Sequence, residues 1–145
     1  MPALNPNLGV LRKALGRPYF TRSNAIVRLV TYPSLDLTTG GPVDLMLVPA
    51  GASIVVTEAV ILCTAAANVA VPATAGIGIA AGEDDIFPSQ QLTGLLVAGD
   101  AFRFAIGGAG VIAQSGEVVK LGIDVASTGA SVSQTVQVEL FGYRG

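Results

Sequence analysis

Glu83, Asp84 and Asp85 are the one run of adjacent carboxylates in the chain, and with Asp100 or Asp124 brought close they could hold a hard cation such as calcium. The D-x-D-x-D-G spacing of a calcium loop is missing, however, and two other uses stand beside that one. The run can be a solvated turn, or it can receive a basic arm, since three neighbouring carboxylates repel one another and an arginine relieves the repulsion. Asp100, Asp124 and Glu139 would form an all-carboxylate catalytic site only if the fold gathered them in one cleft. The chain contains no histidine, which excludes Ser/His and Cys/His nucleophile systems and imidazole metal ligation. Cys63 is the single cysteine, so no intrachain disulfide and no paired thiolate ligands exist; within an apolar stretch it reads as a small buried hydrophobe. The G-x-G of "GIGIAAGEDD" lacks the third glycine, the following helix and the downstream acid of a dinucleotide site, and no Lys-Ser/Thr pair follows the glycines at 107, 108 and 110. Tyr19, Tyr32 and Tyr143 could line a carbohydrate groove, although the usual tryptophan platform is absent. The expectation is no catalytic residue, no cofactor and no metal.

The scaffold that must carry these residues is one domain, since 145 residues bury roughly 70% of the unfolded surface around a single core. Hydrophobic residues make up 51% and charged residues 12%, half the usual charged share. Charge alone cannot keep such a surface soluble, so part of it is expected to be covered by copies of the same chain or by a partner.

Charge is also unevenly placed. Residues 1–35 carry Arg12, Lys13, Arg17, Arg22 and Arg28 with no acid, a net of +5, whereas residues 36–145 hold three bases against ten acids, a net of −7. The basic segment can be a solvated terminus, a dock for an acidic protein or a contact to nucleic acid. The acidic body repels DNA, and no further basic stripe extends the footprint, so direct nucleic-acid binding is not expected. Within this leader Asn7 can cap a helix of two turns, Leu8, Leu11 and Leu15 share one face, Arg12 and Lys13 suit the last turn, and Gly16 with Pro18 ends it. So short a helix is marginal in water unless its leucine face is docked. Tyr19 and Phe20 follow as aromatic anchors. The predicted partner-binding set is Leu8, Leu11, Arg12, Lys13, Leu15, Arg17, Tyr19, Phe20 and Arg22, on an arm spanning 1–23 ahead of a β domain spanning 24–145.

From Asn24 onward the apolar period changes to two. Val43, Leu45 and Leu47, then Phe102, Phe104 and Ile106, then Val119, Leu121, Ile123 and Val125, and finally Val136, Val138 and Leu140 alternate with polar or small residues. Continuous apolar runs near 25–32, 53–64 and 75–81 predict further strands without assigning their facing. Glycine-rich turns fall between them at 38–42, 49–53, 82–85, 97–100, 107–110, 114–117 and 127–131. About eight strands with short turns predict an all-β fold, an antiparallel jelly-roll-like sandwich or barrel. Residues 59–82 are uncharged and long enough to span a membrane, but Pro72, Gly76, Gly78 and Gly82 and the β-branched residues disfavour a helix, and no aromatic belt or basic flank marks the ends. Two strands joined near Pro72 explain the run better, and neither a membrane span nor a secretory leader is expected.

The order of a basic leader, a histidine-free β body, "DAFRFAIGG" and "GEVVKLGIDVASTGASVSQTVQVELFGY" resembles the head decoration, or capsid cement, proteins of tailed bacteriophages. The resemblance implies a homotrimer on the outer capsid surface of the virion, made in the host cytoplasm, that clamps major capsid protein subunits through terminal arms, here residues 1–23. A phage receptor-binding or fibre-tip jelly roll is the alternative, and it would carry exposed aromatic pockets on its outer loops.

Overall fold

The computed structural model describes residues 25–80, 82–104 and 111–145, which contain nine strands and no helix. The strands are β1 (Val27–Asp36), β2 (Gly41–Leu47), β3 (Ser53–Ala67), β4 (Thr74–Gly78), β5 (Phe87–Gln91), β6 (Ala101–Phe104), β7 (Ile112–Gln114), β8 (Val118–Val125) and β9 (Ser133–Arg144). The leader residues Leu8, Leu11, Arg12, Lys13, Leu15, Arg17, Tyr19, Phe20 and Arg22 lie outside the described residues.

Two antiparallel sheets form, one in the order β1-β9-β3-β6 with β7 also against β3, the other in the order β2-β8-β4-β5. β6 pairs with Ala59–Leu62 and β7 with Ser53–Val55, so β7 continues β6 along the same edge of β3. Counting those two as one interrupted strand, the pairings β1·β9, β2·β8, β3·β6 and β4·β5 are nested, as in one long hairpin rolled up on itself. That nesting is the jelly-roll connectivity. It brings the connections β1–β2, β3–β4, β5–β6 and β8–β9 to one end of the sandwich. The connections β2–β3, β4–β5 and β7–β8 lie at the other end, where Ala25 enters.

Alternation generates the core. On β9 the side chains of Gln134, Val136, Val138 and Leu140 point inward, and on β8 those of Val119, Leu121 and Ile123 do. Phe87 of one sheet meets Phe104 of the other with ring centroids 5.4 Å apart, and Phe102 stands edge-on to Phe104 at 5.2 Å, which closes the space between the layers. The long run of β3 resolves through a bulge. Ile54 and Val56 face inward, the register slips between Val56 and Glu58, and Ala59, Ile61 and Cys63 then take over the inward face.

Some facings differ from the sequence reading, each for a local reason. A bulge between Asp44 and Met46 turns Leu47 outward, 63% exposed, and buries Val48 in its place. Val125 is 54% exposed because a bulge at Asp124, where the register with β4 slips between Thr74 and Ala75, turns it to the outer face. The strand expected over 75–81 stops at Gly78, and of the strand expected over 102–106, Ile106 lies outside the described residues. The run from 59 to 82 holds two strands in different sheets joined across Pro72, and no described helix is long and apolar enough to cross a membrane.

Candidate interaction surfaces

The acidic run sits on the outer face of the β2-β8-β4-β5 sheet, at the connection between β4 and β5. Gly122 of β8 is in register with Gly76 of β4, and Gly78 lies two residues further along the same face. These three glycines form a floor without side chains. A Cβ on Gly122 would come within 2.7 Å of the Glu83 Cβ, one on Gly76 within 2.9 Å of the Phe87 carbonyl oxygen, and one on Gly78 would strike the Asp85 carboxylate. The turn folds back onto this floor, and Asp85 Oδ1 accepts the Ile79 N–H at 2.7 Å and the Ala80 N–H at 3.3 Å. Glu83 takes a left-handed conformation, φ 49°, directly after Gly82. Asp85 is therefore a turn-holding residue of the β4–β5 connection.

The remaining acids are dispersed. Asp100 Oδ2 accepts the N–H groups of Leu96 (3.0 Å) and Val97 (2.9 Å), and these two bonds, Val97 first, hold its pKa below the ordinary carboxylate value. Asp124 accepts a hydrogen bond from the Ser89 hydroxyl across to β5. Glu139 lies on the outer face of the other sheet, with Arg28 at 3.6 Å and the Gln137 amide at 2.9 Å. Glu58 pairs with Arg103 at 2.8 Å on that same sheet. Among the described residues no three acids or cysteines stand close enough to hold a metal ion. The cleft that Asp100, Asp124 and Glu139 would have to share does not form, because they occupy a loop and two opposite sheets.

The tyrosine groove does not form either. Tyr32 is in register with the inward-facing Val138 and packs against the core, whereas Tyr143 follows the inward Gly142 and faces out; Tyr19 lies outside the described residues.

Sequence reading missed a buried polar joint. Gln134, 2% exposed, receives the Ser127 hydroxyl at 2.6 Å on its Oε1 and donates through Nε2 to the Leu95 carbonyl at 2.9 Å, with the Cys63 sulfur 3.7 Å away. One side chain of the central strand thus binds the β5–β6 and β8–β9 connections. The sequence signal was weak: a glutamine in an inward position of an otherwise apolar alternation. Asp36 completes that end of the molecule. The Thr38 hydroxyl and N–H, and more weakly the Thr39 hydroxyl, depress its pKa.

Apolar exposure collects at the two ends of the sandwich. Val71, Leu96, Val97 (59% exposed) and Val125 stand at the end bearing the β5–β6 connection. Ile26, Val27, Leu47 and Ile112 (51% exposed) stand at the end where the chain enters. Beside the latter group is a depression of about 220 Å³ lined by Ser53, Ile54, Val55, Ile112, Tyr143 and Arg144 together with the adjoining glycine.

No known protein family matches this chain, and no curated protein does. Among solved structures, the chain is similar to one in the capsid asymmetric unit of cyanophage Pam1, at 16% identity and a TM-score of 0.53, over 88% of this chain and 91% of that one. A chain in the acid-stable capsid structure of Helicobacter pylori bacteriophage KHP30 aligns at 17% identity and a TM-score of 0.47, over 81% and 91%. The jelly roll described above is therefore a fold shared with a chain of the Pam1 capsid.

Proposed function

We propose that the chain is a structural protein of a bacteriophage capsid, a decoration protein that sits on the outer surface of the shell as a homotrimer and stabilises it by bridging major capsid protein subunits. The observation that carries this reading is the likeness to the Pam1 capsid chain, which extends over nearly the whole of both chains. The described surface supports it. Its carboxylates serve turns and ion pairs, and apolar side chains stand exposed at both ends of the sandwich, as suits a protein that works through contact area. The chain then acts by mass action: whatever binds the assembled lattice better than its separate subunits shifts the balance toward the lattice, and three arms on one trimer multiply a weak contact. No catalytic activity is assigned to it, and neither nucleic acid nor membrane is needed.

The fibre-tip alternative calls for aromatic pockets on the outer loops. The described connections carry no aromatic side chain, which favours the shell over the fibre tip. Imaging particles with and without the protein tests the proposal: density at regular positions over the shell is the expected result, and density confined to the tail would overturn it.

A further inference from the structure

The depression lies near the point where the leader joins the β domain. Val27 is in register with Gly142, so Ile26 continues opposite Tyr143 at the level where Tyr143, Val55 and Ile112 lie side by side on β9, β3 and β7. The depression over Val55 is two strands across from β1, about 10 Å at the usual spacing between strands. Four residues, Thr21 to Asn24, separate Phe20 from the described chain, and an extended segment of that length spans at most about 14 Å. Phe20 is therefore within reach of its own domain's depression. The volume, about 220 Å³, is ample, since a cavity of about 150 Å³ suffices for a benzene ring. Arg144 at the rim repels Arg17 and Arg22 but is attracted to the face of an aromatic ring. Ile26, Val27 and Ile112, exposed around the site, are the surface that such a segment would cover.

We infer that Phe20 inserts into the depression formed by Tyr143, Val55 and Ile112 of the same chain, anchoring the root of the basic leader to the β domain. Anchoring by the same chain gains from tethering, because a short linker holds the ring at an effective concentration that a separate copy does not match. The inference stands whether or not the protein belongs to a capsid.

The chain has no tryptophan, so Phe20→Trp in the full-length protein gives a single reporter. Its emission should be blue-shifted and several-fold protected from acrylamide quenching, unchanged on dilution, and returned to solvent-like values by Ile112→Asp at the rim. Far-ultraviolet circular dichroism should show that this second variant keeps its β signature, because Ile112 is half exposed; Ile112→Ser serves as the milder alternative should the aspartate unfold the domain. Solvent-like emission in the single variant overturns the inference. So does a blue shift that persists with the rim variants, which places the ring elsewhere, or one that vanishes on dilution, which assigns the site to a second copy.

Discussion

The Gln134 amide donates to the Leu95 carbonyl at 2.9 Å, so a side chain of the central strand in one sheet fixes the long connection that leads from the other sheet. Its Oε1 accepts the Ser127 hydroxyl and so anchors the neighbouring connection in the same way. Gln134→Ala should lose both bonds and leave two buried groups without partners, at a cost of about 2–4 kcal/mol. Urea unfolding measures the cost, and faster labelling of the buried Cys63 by a thiol reagent should accompany it. A Gln134→Glu variant with wild-type stability would contradict the role, since the donor to Leu95 would be gone.

The glycine floor predicts a graded series. Gly76→Ala drives a methyl against the Phe87 carbonyl and the Ser89 N–H, both backbone, and should cost about 1–3 kcal/mol. Gly122→Ala meets mainly the Glu83 side chain, so its cost should shrink when Glu83 is also changed to Gly. A double-mutant cycle by thermal unfolding reads the coupling, and strict additivity would show that the turn does not rest on the floor.

Acid should loosen the end of the molecule held by Asp36 and Asp100. Both folded pKa values lie below the ordinary 3.8, so the stabilisation is complete above that value and is lost as pH falls through it toward the lower folded values. Asp36→Asn and Asp100→Asn should each be less stable at neutral pH and show a shallower decline between about pH 5 and pH 2. Melting temperature against pH checks this. An unchanged acid limb in both variants would place the acid sensitivity elsewhere.

The leader should matter for attachment and not for the domain. Deleting residues 1–22 is expected to leave the β signature intact and to reduce binding to capsids severely. Replacing Arg12, Lys13 and Arg17 by Glu should slow association and flatten its salt dependence, because exposed charges chiefly steer encounters. Binding measured across a salt series decides the matter: equal affinity of full-length and truncated protein would exclude the leader from attachment.

β9, and β8 as far as Ile123, were legible in the sequence because their inward positions alternate with polar or small residues on the outer face. β5 and β7 were not legible: "FPSQQ" and "IAQ" are short and mostly polar, and only pairing with an adjacent strand makes them strands. The facing of β3 depended on a bulge, which has no periodic signature, and Leu47 was misassigned for the same reason. The acidic run was visible as a cluster, but its seat required Gly76, Gly78 and Gly122 to meet across two strands, information that resides in register and not in spacing along the chain.

The nested connectivity has a consequence for biosynthesis. Among the described strands β1 pairs only with β9, the last strand of the sandwich to be made, and β2 must wait for β8. At about 5–20 residues per second the first strand remains without its partner for several seconds, an apolar edge in a crowded cell. Closure of the sandwich must thus await synthesis of β9, with folding expected on the slow, millisecond-to-second scale of non-local β proteins. Chains halted before Ser133 would present an open sheet to one another, so premature termination should produce aggregates and not a smaller working domain.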